Sequence, residues 1–274
     1  MTWKRSLSQV GLPLVAGIWI GLGLASLEST DSPDGLPNVG DASAWGQHTP
    51  RLPVSEAGPE ALIPGQPPAN VPSELEPDGE APRVHESAFL DPMSSVVGNV
   101  EIGDGVYVAP FASVRGAEGQ LIHFGTDSNL QDGVVVHALQ TVSKDRPIQE
   151  ARYSVGGKIY TVYVGERVSL AHQSQVHGPA WIEDDVYVGM QALVFRSHIG
   201  KGAIVEPGAT IIGVNVPPGH YVPARAVITS QEAADRLPEI TYSYGLRELN
   251  RAMLKMSRNL TAGHGAAAAA SDPR

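Results

Sequence analysis

From Leu90 to Ile211 an aliphatic or aromatic residue returns at every sixth position within four runs: Leu90, Val96, Ile102, Val108, Val114; Phe124, Leu130, Val136; Val164, Leu170, Val176, Ile182, Val188, Val194; and Ile199, Val205, Ile211. A period of six matches neither the 3.6 of a helix nor the two-residue alternation of a flat strand. It suits a coil of short parallel strands, each hexad forming one side of a triangular prism and three hexads making a turn. The seventeen recurrences therefore predict an all-β solenoid, a parallel β-helix of hexapeptide repeats. Glycines directly after the inward residue, in IGDG at 102–105, VGER at 164–167 and IGKG at 199–202, are read as tight corners.

Two segments break the count, at roughly 116–123 and 139–163, and each resumes on an inward residue. Both are expected as loops thrown out from corners, where insertions into a repeat scaffold often carry function. After Pro217 and Pro218 the coil is expected to end. Ser230 then opens a helical pattern, with a stripe of Leu246, Leu249, Met253, Met256 and Leu260 that would lie along the prism. The predicted organisation is a β-helix over 84–229, a C-terminal α-helix over 230–262 packed alongside, and a frayed tail, GHGAAAAASDPR, over 263–274.

The N-terminal part lacks any such period. Residues 28–83 hold eleven of the 22 prolines and are expected to form a solvated, disordered linker. Before them, Lys4 and Arg5 precede an uncharged run from Ser6 to Leu27, close to the roughly 20 residues that span a bilayer. This segment, 1–27, is read as an export element, either a signal peptide cleaved after Ala25 or an uncleaved anchor. Four glycines and Pro13 make it a poor buried helix. The rest of the chain is expected outside the cytoplasm, periplasmic or extracellular, free or anchored to the outer face of the cytoplasmic membrane.

Composition narrows the chemistry. A formal charge of −10 and a pI near 5.3 supply no basic patch, so nucleic acid is a poor partner. The absence of cysteine excludes disulfides, thiolate metal sites and a cysteine nucleophile. Any metal must be held by His, Asp or Glu.

Grouping the hexads in threes places Val114, Val136 and Val176 at the start of the third side in successive turns. Each is followed at once by a functional side chain, Arg115, His137 and His177, and turns about 4.8 Å apart would stack these three in a column. The second side starts at Val108, Leu130 and Leu170, which stacks Asp132 beneath His172, with Gln131 one residue earlier. His172 thus stands on a different side from the other two histidines, and a neighbouring prism is where it would complete their site. Three imidazoles with an open fourth position suit a catalytic metal, which lowers the pKa of bound water from roughly 15.7 to about 7. Beside it, Arg115 would hold an anionic product or orient a carboxylate, and Gln131 and Asp132 would orient the attacking water. The remaining histidines, His48, His85, His123, His198, His220 and His264, are read as solvated surface residues, and Asp184 with Asp185 as an ordinary polar corner.

The blocks SNLQDGVVVHAL (128–139), SLAHQSQVHGPAWIEDDVYVGMQALVF (169–195) and VPPGHYVPARAVITSQEAADRLPE (216–239) resemble γ-class carbonic anhydrases, in the branch of the archaeal enzyme, over about residues 84 to 260. The resemblance implies a homotrimer of left-handed β-helices with one Zn²⁺ or Fe²⁺ at each interface, bound by His137 and His177 of one chain and His172 of the next. It also implies an Arg115–Asp132 pair across the interface, Gln131 bonding a metal-bound hydroxide, and Asn129 in a substrate-side network. The implied reaction is hydration of CO₂ to bicarbonate, followed by proton transfer to buffer.

This sequence departs from the family pattern on the proton path. Gln140 stands where the family carries a glutamate, and Ala117 where it carries an aspartate, while Glu118 is retained. Ser257 takes the place of an asparagine. The ligand positions are intact, so CO₂ chemistry is expected to persist with weakened proton export. Two alternatives compete. A hexapeptide acyltransferase shares the coil, but its cytoplasmic acyl-CoA conflicts with export. A non-catalytic trimeric member that binds bicarbonate or acts as a scaffold draws its support from the lost acidic residues.

Overall fold

Three walls of parallel strands run the length of the prism, each seven strands deep. The structure, a computed structural model, describes residues 79–117, 119–139, 142–143, 146–147 and 152–271. The export element, nearly all of the expected linker, Glu118 and Gln140 lie outside the described residues. No described helix is long and apolar enough to cross a membrane.

Register confirms the hexad reading wall by wall. On the third wall, Val96, Val114, Val136, Val176, Val194 and Ile211 face one another in successive turns; on the second, Leu90, Val108, Leu130, Leu170, Val188 and Val205 do the same. Their side chains form one continuous apolar core inside a left-handed β-helix. An apolar inward residue at every side satisfies the prism, and rung-to-rung hydrogen bonds satisfy the backbone.

The coil does not stop at Pro217 and Pro218. It continues through Tyr221–Val222 and Val227–Ile228, which pair with the strands before them. Those prolines occupy a corner, where no ladder N–H is required, so they do not terminate the solenoid.

The glycine corners also need revision. A Cβ on Gly125 would lie 2.6 Å from the carbonyl carbon of Gly165, and one on Gly165 would lie 2.8 Å from the amide nitrogen of Asp184. The glycine after the inward residue is therefore required by the close stacking of turns. The left-handed backbone falls two residues later, at Gly105, Asp127, Arg167 and Gly202, with φ of 63°, 59°, 56° and 67°.

The described residues of both interruptions include strands. The first closes by Leu121, where a first-wall strand begins. The second carries an antiparallel hairpin, Tyr153–Val155 with Lys158–Val164, and a short pair, Val142–Ser143 with Arg146–Pro147.

The expected single C-terminal helix is divided. Helix α1 spans Gln231–Asp235, with the Ser230 side chain accepting from the Ala233 amide as its N-cap. Helix α2 spans Leu249–Ser271, running into the segment expected to fray. Pro238 lies between them and cannot continue a helix. There the chain is pinned by Tyr244, which stacks on Tyr221 at 4.3 Å and donates to Glu206 at 2.7 Å. Helix α2 packs on the second wall, where Leu249 and Met253 meet Ala171, Tyr187 and Ile204. Its buried stripe is rotated from the expected one: Leu254 and Ser257 turn inward, whereas Met256 and Leu260 stay exposed.

Candidate metal centre

His137 and His177 sit on the third-wall strands Val135–Ala138 and Gln175–Gly178, directly opposite each other in register. Because Val136 and Val176 point into the core, the next residue on each strand points out. The two rings stand with centroids 4.2 Å apart. Arg115 precedes them in the same column, with Nη2 3.3 Å from His137 Nδ1. A guanidinium only donates, so in the single chain this contact calls for a lone pair on Nδ1. On the other side, the Phe195 ring lies 5.0 Å from that of His177.

His177 Nδ1 donates to the Gly178 carbonyl at 3.0 Å, and with Nδ1 as the donor Nε2 is the nitrogen left to offer a lone pair. The pKa of His137 is lowered, first by burial, then by His177 and Arg115, against a smaller opposing effect of a hydrogen bond to the Ala138 backbone. It is therefore neutral at pH 7, as a metal ligand must be.

His172 stands two residues past the second-wall strand Ser169–Leu170, and Asp132 holds the same place one turn earlier after Asn129–Leu130. The stacking read from the sequence is present: His172 Nδ1 and Asp132 Oδ2 are 3.1 Å apart, with both side chains about half exposed. The single chain thus gathers its functional residues into two groups, Arg115 with His137 and His177, and Asp132 with His172. Among the described residues, no three potential ligands converge within one chain. As a donor set the histidines suit a borderline cation: imidazole nitrogens bind such ions, and in two of the rings Nδ1 is occupied by an acceptor.

Gln131 is nearly buried, and its Nε2 donates to Asn129 Oδ1 at 3.2 Å; Asn129 Nδ2 donates in turn to Ser169 Oγ at 2.8 Å. Ser169, fully buried, anchors this chain. Sequence reasoning missed it, although it faces Asn129 in register. Ser257 is also buried, with its hydroxyl donating to the Leu254 carbonyl within its own helix at 3.1 Å.

Two histidines read as solvated surface are not. His123 pairs with Glu101 at 3.1 Å and stacks on Tyr163, and His198 pairs with Glu183 at 3.0 Å and stacks on Trp181 at 4.4 Å. Both belong to an aromatic column on the first wall, and burial lowers the pKa of His123. His264 is exposed, as expected, and stacks on Phe89 at 3.9 Å. Asp184 and Asp185 are a polar corner, as expected, both within ion-pair distance of Arg167.

The surface around the histidines is unusually apolar. Val135, Leu139, Ile212 and Val227 are exposed on or beside the third wall, and Met93, Phe111 and Met190 on the corner that carries His172.

No protein-family model matches the chain. It is similar to the carbonic anhydrase of Methanosarcina thermophila, at 48% identity over 189 residues, 69% of this chain and 76% of that protein. It is similar to the carboxysome assembly protein CcmM of Nostoc, at 43% identity, but spans only 27% of that protein with 58% of its own length. Gamma carbonic anhydrase 2, mitochondrial, of Arabidopsis thaliana is 30% identical over 48% of this chain and 43% of that one. Among solved structures, a hexapeptide transferase family protein of Anaplasma phagocytophilum superposes with a TM-score of 0.52 at 20% identity, over 68% of this chain and 94% of that one, a likeness of fold.

Proposed function

This chain belongs to the γ-class carbonic anhydrases, and from that membership we propose that it hydrates CO₂ reversibly to bicarbonate at divalent cations shared between the subunits of a homotrimer. His137 and His177 of one subunit and His172 of its neighbour would hold each ion. One observation carries the reading: two imidazoles stand side by side on the third wall while the third stands on another wall, its Nδ1 already engaged by Asp132. A second subunit then completes the set. The exposed apolar residues around both groups support burial of this surface against another copy.

Zn²⁺ or Fe²⁺, both suited to imidazole, would supply Lewis acidity that makes water acidic near neutral pH. The protein's own part is positioning. His177 is fixed by the Gly178 carbonyl and His137 is kept neutral by burial. Gln131, held by Asn129 and Ser169, keeps its amide oxygen available to orient the attacking oxygen. Arg115 supplies positive charge where bicarbonate forms. Of the loop positions where the family carries an acid on the proton path, Glu118 is retained to accept the proton, whereas Gln140 cannot titrate. The N-terminal element would place this activity outside the cytoplasmic membrane.

The test is CO₂ hydration by anaerobically purified protein of known mass in solution, before and after complete chelation. Activity should vanish with the metal, return with added Zn²⁺ or Fe²⁺, and be absent from His137→Ala. Robust hydration by metal-free protein would refute the reading.

A further inference from the structure

From the sequence, Asp132 is an orienter of the attacking water and, by resemblance, a partner for Arg115 across an interface. The single chain gives it another. Its Oδ2 lies 3.1 Å from Nδ1 of His172, one turn above it on the same prism, through a register fixed by the Asn129–Ser169 and Leu130–Leu170 pairs. The contact is built into the coil, since both residues occupy the same place after their strands and the Gln173 amide bonds the Asp132 carbonyl at 2.9 Å.

We propose that Asp132 is a positioning residue for cation capture: its carboxylate accepts the Nδ1 proton of His172 in its own chain and so presents Nε2 of that ring to the ion. His172 most needs such a device. His177 has the Gly178 carbonyl as its acceptor, and His137 is held in a column of packed rings. His172 is half exposed on a corner, where an unrestrained imidazole would rotate and exchange tautomers. A carboxylate behind Nδ1 fixes the tautomer and raises the basicity of Nε2.

The two functions of Asp132 are compatible. A carboxylate offers two oxygens with about four lone-pair positions. With Oδ2 taken by His172, Oδ1 remains for a guanidinium from another chain. Such a pairing would also draw Arg115 away from His137 Nδ1, which it approaches at 3.3 Å in the single chain.

The inference rests on His172 being a ligand, and the experiment separates the two. Equilibrium Zn²⁺ affinity is measured on the full chain by competition with a chromophoric chelator, for wild type, Asp132→Asn, Arg115→Gln and His172→Ala, with the mass of each in solution. Asp132→Asn is expected to bind Zn²⁺ about 10–100-fold more weakly while still trimeric, and Arg115→Gln to lose much less. Should Asp132→Asn fail to assemble, the ¹⁵N shifts of His172 in chelated wild type decide: a proton on Nδ1 is expected, and one on Nε2 overturns the proposal. Wild-type affinity in Asp132→Asn, or an equal loss in Arg115→Gln, also overturns it. If His172→Ala keeps full affinity, the ligand assignment itself is wrong.

Discussion

Mixing two inactive variants is the sharpest test of a site divided between subunits. His172→Ala deletes the corner ligand and leaves the His137–His177 pair, whereas His137→Ala does the reverse. In a ring of three, an interface is whole only when a His172→Ala chain supplies the pair and a His137→Ala chain supplies the corner. For random assembly from equal amounts each condition holds half the time, so about one quarter of interfaces are whole. Every mixed trimer, of either composition, carries one whole interface in three, so selecting mixed trimers through two affinity tags should raise recovery to about one third. The control mixes His137→Ala with His177→Ala. Those residues face each other on adjacent rungs of one chain, with ring centroids 4.2 Å apart, so no mixed interface contains both. Stopped-flow CO₂ hydration, normalised to protomer and matched to bound metal, reads the result. Recovery in the first mixture and none in the second is expected. No recovery in verified mixed trimers, or equal recovery in both mixtures, would refute the division of ligands between walls.

Four further outcomes follow from particular contacts. Ser169→Ala strands the amide of buried Asn129, so it should cost about 1–3 kcal/mol in denaturant unfolding and slow hydration with metal content unchanged; a normal rate would detach the Ser169–Asn129–Gln131 chain from catalysis. Gly125→Ala drives a Cβ to 2.6 Å from the next turn and should lower stability by about 1–3 kcal/mol or more; an unchanged melting temperature would contradict the rung-spacing explanation. His137 has a folded pKa below its ordinary 6.5, so below that pH the unfolded chain binds more protons and metal-free protein loses stability as pH falls toward the folded value. His137→Gln should flatten that part of the stability curve, and an identical slope would count against the assignment. Gln140→Glu should raise turnover when buffer is scarce, and unaltered buffer dependence would remove this position from the proton path.

The walls were legible because each side of the prism admits only an apolar inward residue, and the resulting period survives two insertions. All seventeen hexad positions fall at inward places of strands. What failed was the reading of residues whose meaning depends on place within the turn. Pro217 and Pro218 break helices and central strands but fit a prism corner, and Val222 and Ile228 extend the core beyond them. Pro238 did divide the helical segment, and of the stripe beyond it Leu249 and Met253 pack on the coil whereas Leu246, Met256 and Leu260 are exposed. Counting by turns gives the third-wall column and the Asp132–His172 stack. The same count pairs Glu101 with His123, Trp181 with His198 and Asn129 with Ser169, so those contacts were within reach of the sequence. The Arg115–His137 approach was not, because column order does not specify which atom of a long side chain meets which nitrogen.

The position of each ligand-candidate histidine within its turn is the physical argument for the proposed shared site. A residue directly after an inward valine leaves the wall at right angles, so neighbouring turns bring His137 and His177 close enough to share an ion. Completing the set in the same column would take a third imidazole on an adjoining turn, but those places hold Arg115 and Phe195. The remaining histidine lies one wall back, at a corner held by Asp132 and flanked by exposed Met190 and Phe111. If the proposed ion is shared in this way, it and the interface are thermodynamically linked: whatever free energy the cation gains by finding three imidazoles together instead of two would also favour the assembled trimer. Weakening either the ligand set or the apolar contact around it then weakens the other.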